Sequence, residues 1–175
     1  MTAEPTLRRR TLLHALIAVG GAAISGLMAI PGVSYLLDPL LRGRKDHGRW
    51  IRVADLSTLD EDVPVSAAVV GEQVDAWTRF PETRLGTVWL RRLGKDSVQA
   101  LTAECPHLGC AIAFDKDNKH YKCPCHDSAF TREGDVKGGP SPRGMDPLEV
   151  RVKDDQVHVR FVRFRPQVRE RVEVG

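Results

Sequence analysis

The sequence predicts a small all-β head carried by one N-terminal membrane-spanning helix. Three observations carry that prediction. There is a long chargeless run near the N-terminus, there are short bursts of alternating apolar and polar residues after it, and all four cysteines lie between Cys105 and Cys125. With 175 residues the chain has room for one ordinary domain, which excludes a large multidomain enzyme. Its 15 Gly and 11 Pro are spread among ordinary apolar residues, so the composition is neither disordered nor collagen-like. The net charge is +3 and no Lys/Arg block is interleaved with aromatics, so no nucleic-acid partner is expected. Four cysteines are too few to staple a chain of this size. Gathered in one stretch, they mark a site.

Residues 1–37 read as a short N-terminal segment and an anchor. Thr11 to Leu37 are 27 consecutive residues without a formal charge, and about 20 apolar residues cross a bilayer core of roughly 30 Å. A signal-peptide apolar core is shorter, about 7–15 residues. Pro31 is expected to kink or end the regular helix. Gly20, Gly21, Ser25 and Gly26 fit either close packing on a partner transmembrane helix or low-bulk filler. Arg42, Arg44, Lys45, Arg49 and Arg52 follow the run, and flanking charge alone would keep the C-terminal part in the cytoplasm. Against that, Arg9-Arg10-Thr11-Leu12-Leu13 resembles the twin-arginine export signal, whose pathway moves already folded cargo. The expectation is an uncleaved single-pass anchor in a bacterial cytoplasmic membrane, with the head on the periplasmic, outer side of the lipid bilayer.

Residues 38–49 are polar, contain Gly43 and Gly48, and read as a flexible linker with a solvated His47. Residues 50–165 form the head. Val65–Val70, Thr87–Arg92, Leu148–Val152 and Val157–Phe161 have the short alternation of half-buried strands, and no sustained helical period appears. His158 falls on the polar phase of its strand and is expected to be solvated. His120 and Tyr121 are expected on a strand leading into the second cysteine motif. Trp50, Trp77 and Trp89 read as core or strand anchors, with Trp50 also a candidate for the membrane interface. Residues 166–175 are charged, and are expected to be loose or to lie on a partner.

Two motifs carry the chemistry. Cys105-Pro106-His107-Leu108-Gly109-Cys110 and Cys123-Pro124-Cys125-His126-Asp127-Ser128 each mix thiol and imidazole. A zinc finger would instead show Cys pairs and His pairs. An iron pair bridged by two sulfides takes four terminal ligands, and the motifs hold six candidates. Zinc on some of the six, or two plain disulfides, are the rival readings.

The pattern Cys-x-His-x15-Cys-x-x-His, with Cys110 and Cys125 besides, resembles the Rieske iron–sulfur family. Leu108, Ser128 and Gly139-Pro140-Ser141-Pro142 match as well. The resemblance implies a small antiparallel β-sandwich with a cluster-binding subdomain and a Rieske-type [2Fe-2S] cluster. By the same resemblance Cys105 and Cys123 ligate one iron and His107 and His126 the other, and Cys110 pairs with Cys125. Leu108 would shield the cluster, Ser128 would donate a hydrogen bond to it, and the loop of Gly139 and Pro140 would lie over it. His126 would contact quinol, with His107 as its exposed partner ligand.

The loop cysteines, the anchor and the twin-arginine-like start resemble the quinol-oxidising members of that family. They imply the electron-transfer subunit of a quinol–cytochrome c reductase, with cytochrome b and a c-type cytochrome as partners and the head moving on its linker. The alternative on the same fold is the small subunit of a periplasmic molybdenum oxidase, similar to arsenite oxidase. Imidazoles in place of two thiolates lower the cluster's negative charge. Rieske centres therefore reach about −150 to +300 mV, against about −400 mV for plant-type ferredoxins. Two departures stand out. Phe130 replaces a Tyr that high-potential members point at a cysteine ligand, and Asp127 replaces the usual Gly. Both are expected to lower the potential and so favour menaquinol over ubiquinol. The rival reading of Phe130 is packing alone.

Overall fold

The computed structural model describes residues 4–41, 48–75 and 78–174, and the chain divides into two units, 1–45 and 46–175. The first unit holds α1 (Glu4–Leu41). Its segment Arg8–Asp38 is long and apolar enough to cross a membrane. Leu16, Ile17, Leu27, Met28, Ile30 and Leu36 are all exposed on it. An apolar helix of this kind keeps its backbone hydrogen bonds internal, as the interior of a bilayer requires. Of the two outcomes expected at Pro31, the helix does not end there: a proline removes one donor, while the rungs on either side remain. The helix continues over Asp38 to Leu41, the first four residues assigned to the linker. A Cβ added at Gly20, Gly21 or Gly26 would meet nothing within 4 Å. Residues 42–47, His47 among them, lie outside the described residues.

The second unit is all-β, as expected, apart from one 3-10 turn at Leu56–Thr58. Its larger sheet contains β1 (Arg49–Asp55), β2 (Val65–Asp75), β3 (Thr78–Arg92), β4 (Val98–Thr102), β9 (Pro147–Lys153) and β10 (Gln156–Phe161). The strands are antiparallel in the order β1-β10-β9-β4-β3-β2. The sheet folds over one core of Ile51, Val69, Val88, Leu90, Leu148, Val157 and Val159. All four alternating bursts lie within these strands. Val157 and Val159 are fully buried and His158 stands between them on the other face. Burying such side chains contributes about 1.5–3 kcal/mol each, which fixes the register, because a one-residue slip would turn them outward.

β3 runs well beyond its burst. Thr78–Glu82 are exposed and extend a hairpin with β2, with Pro81 beside a register irregularity where the ladder needs no donor from it. Trp77 lies outside the described residues. Trp50 sits half-buried on β1 with the Arg151 guanidinium 4.3 Å from its ring centre. His158 is not solvated as expected. It pairs with Arg52 and Arg151 on the neighbouring strands, is half-buried, and its Nδ1 is buried without a hydrogen-bond partner. A strand flanked on both sides covers even its polar phase when the neighbours are long arginines.

A second sheet, β5 (Ala113–Asp115), β6 (His120–Lys122), β7 (Ala129–Phe130) and β8 (Val136–Gly138), is inserted between β4 and β9. His120 and Tyr121 lie on β6, as expected. The strands have two or three residues each, too few for alternation to be read from sequence. Their core is Leu101, Cys105, Ile112, Tyr121, Cys123, Phe130 and Met145. Trp89 of β3 closes it from the larger sheet, its ring 5.5 Å from Tyr121 and its Nε1 donating to the Ile112 carbonyl at 3.0 Å. The buried Arg91 donates to Asp62 at 3.1 Å and to Glu133 at 3.2 Å, and Arg132 reaches Asp62 at 2.6 Å. These pairs staple the small sheet to the large one. In the C-terminal segment β12 (Glu173–Val174) pairs with β11 (Arg163–Phe164).

Candidate metal centre

Three loops of the small sheet converge. Loop 1, between β4 and β5, folds tightly on itself. The Cys105 N–H donates to the Cys110 carbonyl and the Gly109 N–H to the Cys105 carbonyl, both at 2.8 Å. Gly109 has φ 76, a left-handed conformation that glycine adopts without a Cβ penalty. Loop 2, between β6 and β7, is closed by the Cys123 N–H on the Ser128 carbonyl at 2.8 Å. A disulfide joins Cys110 of loop 1 to Cys125 of loop 2. The proline loop follows β8.

Cys105 and Cys123 are free thiols, 2% and 1% exposed. Burial holds the Cys105 thiol above its ordinary pKa; the His107 N–H opposes the rise and the neighbouring Cys123 thiol adds to it. A bound metal reverses that preference, since a coordinating thiol is deprotonated outright. The His107 and His126 rings lie edge to face, 4.8 Å between centres. His126 is exposed. His107, expected to be exposed, is half-buried, and its Nδ1 is buried with no hydrogen-bond partner.

The sulfurs of Cys110, Cys123 and Cys125 also lie within 4.8 Å of one another. Two of those three are consumed by the disulfide, so the trio is not a set of thiolate donors; it places the disulfide beside Cys123. The remaining groups are two buried thiols, one orphaned imidazole nitrogen and a second imidazole alongside. That donor chemistry fits a cluster held by two cysteines and two histidines. Ser128 is fully buried, and its hydroxyl lies near Cys105 without closing a hydrogen bond of normal geometry. Leu108 of loop 1 is 46% exposed, and Pro140 is exposed as well.

Phe130 is fully buried in the core that contains Cys105 and Cys123. Its packing role is therefore real, and it shares that core with both free thiols. Asp127 has φ 57, a left-handed conformation that favours glycine, and its carboxylate pairs with Lys122 at 3.1 Å. The acidic charge beside His126 is thus partly offset, a compensation invisible in the loop sequence. Tyr121, on β6 behind loop 2, is fully buried, and burial pushes its phenol up to about 12.

Gly139 sets the approach of the proline loop. It has φ 90, and a Cβ there would stand 2.5 Å from Ser128 Cα, 2.7 Å from the Asp127 carbonyl oxygen and 2.8 Å from the Ser128 nitrogen. Backbone atoms cannot rotate away. Gly139→Ala is expected to cost about 2 kcal/mol or more from left-handed strain and overlap together. The check is the unfolding midpoint of the variant beside Gly138→Ala, where an added Cβ meets nothing within 4 Å. Equal midpoints would contradict the close approach.

A two-sheet head with paired Cys/His loops under a proline loop defines an iron–sulfur electron carrier. The chain belongs to the Rieske [2Fe-2S] domain family, whose model matches residues 49–158. It is similar to the menaquinol:cytochrome c reductase iron-sulfur subunit of Bacillus subtilis, 33% identical over 84% of this chain and 87% of that one. The protein of the same name from Geobacillus thermodenitrificans is 31% identical over 87% of this chain and 89% of its own length. The cytochrome b6-f complex iron-sulfur subunit of Gloeobacter violaceus is 29% identical over 88% and 83%.

Sequence reasoning missed the residues that hold the loops from behind. Arg143, Asp146 and the tail around Gln167 carry no local signature, because an Arg and an Asp three residues apart are commonplace in a loop.

Proposed function

We propose that Cys105 and Cys123 hold one iron of the cluster and His107 and His126 the other. On that reading the chain is the electron-carrying subunit of a membrane-bound quinol:cytochrome c reductase of the cytochrome bc type, with menaquinol as the favoured donor. The observation that carries this reading is the exposed His126 against two fully buried free thiols. When bound, the cluster supplies one-electron redox chemistry in the Rieske potential range. The protein residues do the rest. Cys105 and Cys123 are kept from water by Leu101, Phe130 and Met145. His126 presents its imidazole outward, where it can exchange a hydrogen bond and a proton with a quinol hydroxyl. Leu108 and Pro140 provide apolar contact nearby, and the disulfide keeps loops 1 and 2 together.

The names and coverage of the relatives support this reading over an arsenite oxidase-like subunit, and α1 supports a single-pass anchor. The twin-arginine-like Arg9-Arg10-Thr11-Leu12-Leu13 supports a head on the outer side, where cytochrome b and a c-type cytochrome would be its partners. Detergent purification of the full chain from its native membranes tests the assignment. Co-purifying b-type haem is expected; a molybdenum subunit without haem b would overturn it.

Phe130→Tyr tests the menaquinol preference. A hydroxyl donated toward a cysteine sulfur stabilises added negative charge, so the midpoint potential is expected to rise. A redox titration followed by EPR reads it, and an unchanged potential would reduce Phe130 to packing alone.

A further inference from the structure

The C-terminal segment reaches back to the metal centre. After β11 the chain turns, with the Arg165 N–H donating to the Val172 carbonyl at 2.9 Å. Gln167 sits in the turn at φ 66, and its N–H donates to the Pro106 carbonyl at 2.8 Å. Pro106 is the residue between Cys105 and His107. From the other direction comes Arg143 of the proline loop, a buried guanidinium. It forms a two-pronged pair with the buried Asp146, Nε and Nη2 each 2.8 Å from a carboxylate oxygen. Two further donors go to the tail, to the Arg165 carbonyl at 3.0 Å and to the Val168 carbonyl. The Ser141 hydroxyl fixes the backbone of Arg143 by donating to its carbonyl at 2.8 Å. Arg171 adds a contact to Asp146 at 3.4 Å.

A buried ion pair is weak evidence for stability as such, because desolvating both charges offsets much of their attraction. What the fork supplies is geometry: a planar guanidinium held at four of its five N–H donors by one carboxylate and two tail carbonyls has one orientation. Loop 1 closes on itself through Cys105, Gly109 and Cys110, and its Pro106 carbonyl is held by the tail. We propose that residues 165–171 are a strap that sets the position of loop 1 relative to the proline loop, with Arg143 as the positioning residue and the Gln167 N–H as the contact on Cys105-Pro106-His107. The strap rests on the assignment of Cys105 and His107 as ligands. Released, loop 1 samples several arrangements, so bound iron escapes sooner and its spectrum loses uniformity.

The test uses the full-length protein in detergent, as wild type, Arg143→Gln, Arg143→Lys and a chain ending at Phe164. Iron release to a chelator and the EPR line widths of the reduced protein are measured. In Arg143→Gln and in the shortened chain, release is expected on the order of tenfold faster, the scale on which outer partners of metal ligands act, with broadened lines. Arg143→Lys keeps a charge against Asp146 but loses the fork, and is expected to broaden the lines as well. Wild-type line widths and release in the shortened chain would overturn the strap. If the shortened chain does not fold, the same wild-type result in Arg143→Lys overturns it. A wild-type protein lacking a Rieske spectrum would instead overturn the ligand assignment.

Discussion

Cys123→Ser is expected to leave a folded head with iron near background and no Rieske EPR signal. Cys123 is 1% exposed in the core of the small sheet, packed with Cys105, Phe130 and Met145. Oxygen for sulfur changes little volume, so packing survives, and the loop 2 hydrogen bond from its N–H to the Ser128 carbonyl uses backbone only. The hydroxyl is a poor replacement for a thiolate on iron, a metal whose clusters select soft sulfur ligands. Iron analysis, EPR and circular dichroism on one preparation separate the outcomes. Full iron with an unchanged spectrum would remove Cys123 from the ligand set.

The second large effect is expected from removing the bridge between the loops. Cys110 and Cys125 are 15 residues apart in sequence, and closing a loop of that length is worth about 3 kcal/mol in the chain-entropy account. The double variant Cys110→Ala/Cys125→Ala is expected to melt roughly 10 °C lower, given a few degrees per kcal/mol for a domain of this size. It is also expected to lose iron faster, because the bridge lies beside Cys123. Since Cys125 is exposed, a thiol reductant acting on the wild type should reproduce both effects. A melting midpoint within a degree of wild type would show that hydrogen bonding within the loops suffices.

How much was legible in the sequence differs from element to element. The strand at Val157–Phe161 was readable because Val157 and Val159 are buried and the residue between them is not, and the one at Val65–Val70 from its β-branched residues, of which Val69 is buried. β5 to β8 were not, since strands of two or three residues have no period to read. His107 and His126 were readable as a pair through the family resemblance of their two motifs, yet their unequal exposure was not: it depends on how the two loops fold. Asp127 was visible as a departure, but its Lys122 partner lies on β6 and meets it only once β6 and loop 2 are placed. His158 looked solvated because alternation says which face a residue occupies and not what its neighbours drape over it.

By itself the sequence determined an apolar run long enough to cross a membrane, an all-β head, and a thiol and imidazole pattern that resembles one family of iron–sulfur proteins. These are properties of composition and short spacing, written in consecutive residues. Tertiary structure alone decided that His126 faces outward, that Gly139 must lack a side chain beside Ser128, and that the tail returns to Pro106. Each depends on backbone segments distant in sequence coming within hydrogen-bond or van der Waals range, and no local pattern encodes such a distance.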